Sequence, residues 1–223
     1  MHVRVLLLVA LSLLVAAGFA ATARAGASAG VEVTVRVEGK TRTIFASSAP
    51  SLVPAQGTLA AEGDATVELA APTVLGALEA ASLAGEFNYN LKLFSFGSFV
   101  DRVGRFGSRG VTGWFFKVNG KAPELGASDV VLKDGDTVLW YWAKLNPVTF
   151  DGPDSLNLIR KQGCLVAQAL NAKGNAARAK NVVFKLDSAR RIRSKSGRLC
   201  ATNWETAQVV KRGHVRSQVL TAA

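Results

Sequence analysis

Apolar and polar residues alternate from residue 31 onward in the manner of a half-buried β-strand. The apolar face is formed by Val31, Val33, Val35 and Val37. Residues 38–40 then predict a turn, and residues 41–46 predict the returning strand of a hairpin. The following segment, 47–63, is rich in Ser, Pro and Gly, which predicts a long surface loop with few core contacts.

A single amphipathic helix is predicted directly after Pro72. Thr73 is a suitable N-cap, and Gly85 is the expected stop. The apolar residues spaced to lie on one helical face are Val74, Leu75, Leu78 and Ala81. Strands at 87–94 and 98–103 and a Gly/Arg-rich turn at 104–110 are predicted to follow.

Two aromatic-rich strands are then predicted, at 114–118 and 137–142, and the tight turn 133–136 precedes the second. In the first strand one face carries Trp114, Phe116 and Val118, which we expect to meet a core, and the other carries Phe115, Lys117 and Asn119. In the second strand one face carries Val138, Trp140 and Trp142, and the other Leu139 and Tyr141. Alternation alone leaves open whether Trp140 or Tyr141 faces the core. Because both faces are aromatic, one of them is a candidate exposed binding surface.

The order of these motifs resembles the C-terminal β-domain of transcobalamin and intrinsic factor and its bacterial relatives. The residues that carry the resemblance span 31–144 and are Val37-Glu38-Gly39, Thr73-Val74-Leu75-Gly76-Ala77-Leu78, Gly113-Trp114, Val118-Asn119-Gly120, Gly126-Ala127-Ser128 and Asp134-Gly135-Asp136 before Trp140. The resemblance implies a binding module rather than an enzyme. It also implies cobalamin or another corrinoid as a ligand near Trp114, Tyr141 and Trp142, and no other cofactor is expected.

The composition shifts after Pro147, and short strand-like runs separated by turn signals follow. The runs are 156–159, 164–170, 182–186, 199–202, 208–211 and 215–220, with Trp204 as a candidate core residue. They predict a small immunoglobulin-like sandwich, and residues 197–201 and 213–217 look similar to bacterial Ig-like repeats. The expected fold class is therefore an α+β β-grasp (ubiquitin-like) domain at 26–147 followed by an all-β Ig-like sandwich at 148–223.

The N-terminus has the three parts of a secretory signal peptide at 1–25. Arg4 supplies the positive charge, residues 5–17 the apolar run, and Ala23-Arg24-Ala25 an A-x-A cleavage site. An uncleaved membrane anchor is the alternative. We expect a secreted or cell-envelope protein with no transmembrane segment after cleavage.

Cysteine use agrees with export. The chain has two cysteines, Cys164 and Cys200, and such a pair in an oxidising compartment usually forms a disulfide. Closing this loop is expected to stabilise the fold by about 4 kcal/mol. Two free thiols or a metal pair are the alternatives, and the metal pair lacks the usual ligand spacing.

Positive charge is concentrated in the second part of the chain. Residues 26–147 hold 11 Lys and Arg against 12 Asp and Glu, whereas residues 148–223 hold 14 against 4. The candidate polyanion contacts are Arg190, Arg191, Arg193, Lys195 and Arg198. For an exported protein an anionic cell-surface polymer or a surface protein is the expected partner rather than nucleic acid, and a solvated basic surface without a partner is the alternative.

The inventory of reactive residues argues against an enzyme. His214 is the one imidazole after residue 25, and its neighbours Arg212 and Arg216 disfavour its protonated form. Asp129, Asp134 and Asp136 could form a cation site or a carboxylate pair, but the Asp-Gly-Asp turn explains the last two more simply. No catalytic or metal-binding residue is therefore predicted, although a hydrolase that uses His214 stays open.

The candidate ligand-binding residues combine aromatic rings with cationic donors: Arg105, Phe106, Arg109, Trp114, Tyr141 and Trp142. A mobile loop without a ligand is the alternative for residues 104–110. We expect a non-enzymatic binding protein at the cell envelope whose first module presents an aromatic-edged face and whose basic module contacts an anionic polymer. A small-molecule binding protein of the cobalamin type is the alternative.

Overall fold

The computed structural model describes residues 30–95, 97–149, 151–187 and 189–222, so the predicted signal peptide at 1–25 lies outside the described residues. The described part has one helix and 18 strands. In chain order they are β1 (Val31–Glu38), β2 (Thr43–Ala46), β3 (Ser51–Val53), β4 (Gly57–Ala60), β5 (Thr66–Leu69), α1 (Val74–Gly85), β6 (Tyr89–Phe94), β7 (Gly97–Val103), β8 (Phe106–Gly107), β9 (Thr112–Val118), β10 (Thr137–Lys144), β11 (Ser155–Lys161), β12 (Cys164–Leu170), β13 (Ala176–Arg178), β14 (Val182–Leu186), β15 (Arg190–Ser194), β16 (Arg198–Leu199), β17 (Thr206–Val210) and β18 (Leu220–Thr221).

The largest sheet has the strand order β2-β1-β10-β9, and β3 pairs with β1 as well. The two central strands, β1 and β10, run parallel, with Val37 opposite Trp140. Strand β9 pairs antiparallel with β10, with Trp114 opposite Trp142. The predicted apolar face of β1 is confirmed, because Val33, Val35 and Val37 are completely buried in the first core.

Helix α1 packs on this sheet and agrees with the sequence prediction. The Thr73 hydroxyl accepts a hydrogen bond of 3.2 Å from the backbone N–H of Gly76, which satisfies one of the free donors of the first turn. The helix ends at Gly85, and Glu86 follows in the left-handed region with φ 49°. The predicted buried face is confirmed at all four positions: Val74, Leu75, Leu78 and Ala81.

Two smaller sheets stand beside the first core. Strands β4 and β5 form a hairpin, and β6, β7 and β8 form a three-stranded sheet. The long loop predicted at 47–63 is therefore wrong, because it contains β3 and β4. The prediction gave more weight to Ser, Pro and Gly than to Leu59, which is buried together with Val67 and Leu69 of the next strand.

The second part of the chain holds two four-stranded sheets. One has the order β11-β12-β13 with β16 also on β12, and the other has the order β15-β14-β17-β18. Their common core includes Leu158, Phe184 and Val209, and Trp204 packs against it half-buried. The predicted disulfide between Cys164 and Cys200 is confirmed, and it closes a loop with a sequence separation of 36.

The predicted fold class is wrong. Strands make up half of the described structure and helix only 6%, so the chain has an all-β fold of several small sheets rather than a fold with an α+β β-grasp domain. The error arose because a single well-capped helix was weighted too strongly. Strands β3, β4, β5 and β8 lie in segments without long apolar runs and were not predicted, so the strand content was underestimated.

Candidate functional site

Two aromatic rings and two cations form a cluster near the C-terminal end of β10, and we call this cluster the aromatic end. The rings of Phe106 and Trp142 have centroids 6.2 Å apart. Lys40 Nζ lies 5.5 Å from the Trp142 ring, and the Arg105 guanidinium lies 5.2 Å from the Phe106 ring. Both cations are exposed and both rings are half-buried, so a ligand can reach them.

Backbone carbonyls fix the rings of the aromatic end. Trp114 Nε1 donates to the Phe106 carbonyl at 2.7 Å, and Trp142 Nε1 donates to the Gly107 carbonyl at 3.2 Å. Gly39 is required here, because a Cβ at this position would lie 2.7 Å from the Phe106 ring. The indole donors therefore hold the short β8 segment against β9 and β10.

Of the other predicted ligand-binding residues, Trp114 contacts this cluster through the Phe106 carbonyl, whereas Arg109 and Tyr141 lie apart from it. Arg109 is exposed in the turn before β9, where its backbone pairs with Thr112. Tyr141 is on the opposite face of β10 and only 2% exposed, while Trp140 is 1% exposed and faces the first core. Trp140 is thus covered by the first core and Tyr141 by the C-terminal part of the chain, whereas Trp142, on the same face as Trp140, is half-buried.

The five predicted polyanion contacts divide into three groups. Strand β15 alternates so that Arg191, Arg193 and the following Lys195 are exposed on its outer side, while Ile192 and Ser194 turn inward. Arg190 instead bonds the Asp187 carboxylate at 2.9 Å. Arg198 lies on β16 in the other sheet and donates to Cys164 Sγ at 3.1 Å. The outer side of β15, with these three cations, is called the basic strand below.

A buried ion cluster joins the two parts of the chain at the contact surface between residues 30–147 and 151–222, which we call the seam. The Glu38 carboxylate, 1% exposed, lies 3.0 Å from Arg36 Nη1 and 3.2 Å from Arg216 Nε. The Thr43 hydroxyl donates to it as well. Burial raises the pKa of Glu38, while the two guanidinium groups and the hydroxyl act to lower it.

The seam cluster connects the basic strand to the aromatic end. Lys185 lies opposite Arg191 in the β14–β15 pair, and burial lowers its pKa, with Arg191 and Arg216 lowering it further. Arg216 Nη2 in turn donates to the Gly39 carbonyl at 2.7 Å, next to Lys40. We call this series of cations, whose central members Lys185, Arg216 and Arg36 are partly buried, the cationic track. In order it comprises Lys195, Arg193, Arg191, Lys185, Arg216, Arg36, Lys40 and Arg105.

Lys117 is a second buried cation at the seam. Its side chain is 1% exposed, and its ammonium donates to the carbonyls of Leu170 at 3.0 Å and Asn171 at 3.4 Å and to the Ser155 hydroxyl at 3.3 Å. Burial lowers the pKa of Lys117, and Asp154 partly opposes this. The ammonium group therefore ties β9 to β11 and to the end of β12.

A cleft of about 730 Å³ lies along β9 where it meets the C-terminal part, and we call it the seam cleft. Its walls include Phe99, Trp114, Phe115, Phe116 and Tyr141. A Cβ at Gly152 would lie 2.4 Å from the Tyr141 hydroxyl oxygen, so only glycine fits beside that phenol. Burial raises the pKa of Tyr141 to about 12, and Asp151 adds to the shift.

A separate apolar groove of 800 Å³ runs between α1 and strands β2 to β4. Two leucines border it with large exposed fractions, 72% for Leu83 and 63% for Leu52. Its acidic residue, Glu79, accepts a hydrogen bond of 2.8 Å from Tyr89. The groove offers apolar contact but few polar groups that could orient a ligand.

The acidic turn and the histidine make local contacts. Asp134 accepts from the Glu32 backbone N–H at 2.8 Å, and Asp136 accepts from the Lys133 N–H at 2.8 Å and from Asn119 Nδ2 at 2.7 Å. These bonds support the turn interpretation. His214 Nδ1 lies 3.2 Å from the Arg212 carbonyl oxygen. In the part of the chain that the structure describes, no three His, Cys, Asp or Glu side chains are grouped as metal ligands would be.

Sequence reasoning missed the residues that connect the predicted sites. Lys40 was read only as a turn residue, and Arg36, Glu38 and Arg216 were not recognised as partners because up to 180 residues separate them. A signal existed for Lys117, because it shares a strand face with Phe115, and a lysine on a covered face needs buried polar partners. Among the described residues, no helix is both long and apolar enough to cross a bilayer.

Comparison with known families matches a segment of this all-β protein that contains Arg105, Phe106 and Trp142 of the aromatic end. Residues 72–144 match the family described as Domain of unknown function (DUF4430), which covers about a third of the chain. The segment begins just before α1 and ends with β10, and it contains all six predicted ligand-binding residues, but neither Lys40 nor the basic strand. No curated protein matches the chain.

Proposed function

We propose that this chain is an exported, non-enzymatic binding protein of the cell envelope that contacts an anionic surface polymer along the cationic track. The observation that carries the proposal is the series of cations, linked by contacts at the seam, between the basic strand and the aromatic end. Its salt bridges among the described residues involve one carboxylate, Glu38, so most of its positive charge is not neutralised. Such a surface attracts polyanions.

The two exposed ends of the track have complementary roles. Arg191, Arg193 and Lys195 offer point charges that can contact a polymer backbone and that do not require a fixed contact geometry. Lys40 and Arg105 offer charge over aromatic faces, which suits a repeating unit with both an anionic and an apolar side. The mostly buried seam cations between them hold the two ends in a fixed relation.

The disulfide supports export, since such bonds persist in oxidising compartments. The signal-like sequence at 1–25 supports it independently. Localisation is tested by expressing the full chain with a C-terminal epitope and separating cells from the medium and the envelope. We expect the epitope in the envelope or medium, and its retention in the cytoplasm contradicts the proposal.

Polymer binding is tested by retention of the protein on immobilised poly(glycerol phosphate) against neutral dextran. We expect retention at low salt that falls as salt screens the contacts, because exposed charge pairs weaken within the screening length. Retention that does not respond to salt contradicts a charge-based contact.

A small-molecule carrier related to the C-terminal β-domain of transcobalamin is the second candidate, and the seam cleft favours it. The cleft has the volume and the aromatic walls of a ligand site, and it brings Trp114 and Tyr141 together. Titration with cobalamin, followed by tryptophan fluorescence and calorimetry, tests this role. Saturable quenching with heat supports a corrinoid ligand. If both signals are absent, the polymer contact is the one role that is left.

A further inference from the structure

Strand β9 is the outermost strand of the largest sheet. It pairs with β10 along its whole length, with an unbroken register from Thr112 opposite Lys144 to Val118 opposite Val138. On its other side, among the described residues, no strand pairs with it. Such an edge presents backbone donors and acceptors that an added strand can use.

The two ends of β9 show which backbone groups point away from β10. Thr112 exchanges both of its backbone hydrogen bonds with Arg109, at 2.7 and 3.0 Å, and Val118 exchanges both of its own with Lys121, at 2.8 and 3.0 Å. Backbone direction alternates along an antiparallel strand, so the residues between them with the same parity point the same way. These residues are Trp114 and Phe116.

The N–H and C=O groups of Trp114 and Phe116 have no hydrogen-bond partner within the described part of the chain. They repeat with the spacing of alternate residues, about 6.8 Å. By contrast, Gly113, Phe115 and Lys117 direct theirs to β10. The turns at 109–112 and 118–121 cap the edge, so the open stretch is short and defined.

This open edge faces the seam cleft. Trp114, Phe115 and Phe116 all line it, and Phe99 and Val100 of β7 stand across from them. Side chains of a strand added here would alternate between the Trp114 and Phe116 face and the Phe115 and Tyr141 face. Both faces are aromatic, so the cleft suits apolar side chains on both sides of a short strand.

We propose that the open edge of β9 binds an extended peptide segment of another protein by strand addition, with apolar side chains seated in the seam cleft. A sugar polymer or a corrin could occupy the volume, but neither carries amide donors and carbonyl acceptors with the repeat that Trp114 and Phe116 present. The proposal is independent of the polymer contact, because none of the residues of the cationic track lines the cleft.

Peptide ligands are obtained by selection from a random dodecapeptide display library on the intact chain. We expect binders with apolar residues in at least three consecutive or alternating positions. N-methylation of the peptide at every second residue tests the pairing. In an added strand one alternating set of amides, or frame, points towards β9 and the other points away. Methylation in one frame should weaken binding about tenfold or more and in the other frame by less than about threefold.

A matched pair of variants separates the backbone from the side chain. Phe116→Pro removes the outward N–H without removing a bond to β10, as proline permits at an edge strand, and Phe116→Ala removes only the ring. We expect the proline variant to bind the selected peptide about tenfold more weakly than the alanine variant. Equal affinities of the two variants overturn the proposal.

Amide hydrogen exchange in the unaltered protein gives a second test that does not depend on a variant folding. The amides of Trp114 and Phe116 should exchange fast in the free protein and slowly with peptide, while those of Phe115 and Lys117 are protected throughout. The proposal is overturned by an empty selection, by equal effects of the two methylation frames, or by a peptide that leaves these amides unprotected. It is also overturned by a concentration-dependent dimer that protects them without peptide, which assigns the edge to a second copy of the chain.

Discussion

The guanidinium of Arg216 donates a hydrogen bond of 2.7 Å to the carbonyl oxygen of Gly39, 177 residues earlier in the sequence. This bond connects the buried Glu38 cluster with the turn that carries Lys40. Through it, the segment between β17 and β18 contacts the turn next to the aromatic end. The two sites predicted separately from sequence are therefore linked through mostly buried contacts at the seam.

Removal of the Glu38 carboxylate should strongly destabilise the protein. In Glu38→Ala, Arg36 and Arg216 remain buried and face each other without a counter-charge, which typically costs about 3–5 kcal/mol. Chemical denaturation followed by fluorescence measures the free energy of unfolding. Glu62→Ala is the control, because its exposed carboxylate lies 3.7 Å from Lys92 and its loss should cost less than about 1 kcal/mol. Equal losses in the two variants would contradict the role of the seam cluster.

Lys117 should make stability rise with pH in the alkaline range. Burial lowers the pKa of Lys117 below its ordinary value of 10.5, to which unfolding returns it. Between the two values the unfolded chain binds more protons than the folded chain, so stability increases with pH there. The variant Lys117→Met lacks this pH-dependent contribution to stability.

The measurement for Lys117 is the difference in unfolding free energy between the unaltered protein and Lys117→Met, from about pH 7 to about pH 9.5. We expect the difference to shift in favour of the unaltered protein as pH rises. A difference that stays constant over this range would reflect only the lost hydrogen bonds to Leu170, Asn171 and Ser155. It would contradict a lowered pKa of Lys117.

The tyrosines should resist ionisation while the protein is folded. Burial raises the pKa of Tyr141 to about 12, and it raises that of Tyr89 as well, with help from Glu79. Unfolding returns both towards 10.0, so the folded chain binds more protons above that pH, and stability falls as pH rises through 10 to 12. Phenolate absorbance should appear together with unfolding, and Tyr141→Phe should weaken this pH dependence. Early absorbance from a folded protein contradicts the burial of these phenols.

The disulfide should contribute substantially to stability. Replacing both cysteines with alanine removes the restraint on the unfolded loop and should cost about 4 kcal/mol, measured by denaturation. The effect should equal that of reducing the unaltered protein. A much smaller loss in both cases contradicts the entropic account of this bond.

Local sequence patterns were sufficient for several elements but not for the fold class. Thr73 and the apolar spacing after it predict α1, and the valines of β1 predict its buried face, because these signals depend on neighbours in sequence. Strands β13 and β15 carry no apolar run: β15 is four-fifths polar and becomes a strand only because it pairs with β14. Tertiary pairing of this kind is invisible in a local pattern.

The candidate site was predictable in its parts and not in its assembly. Arg105, Phe106 and Trp142 meet as expected, because a short turn and a strand end carry them. Tyr141 was named with Trp142 as a ligand-binding candidate although the two lie on opposite faces of the strand, and here the face of Tyr141 is closed by the C-terminal part. The covering of that side depends on Glu38 and Lys117 meeting partners far along the chain.

The most direct test of the cationic track is the affinity for poly(glycerol phosphate) of two charge-matched double variants. Arg191→Gln with Arg193→Gln removes two exposed cations from the basic strand, whereas Lys133→Gln with Lys161→Gln removes two exposed cations elsewhere. At low salt we expect the first pair to bind about tenfold more weakly, since each exposed contact contributes about 0.7 kcal/mol, and the second pair to bind nearly as the unaltered protein does. Equal weakening by both pairs would show that only net charge matters and would contradict a defined track.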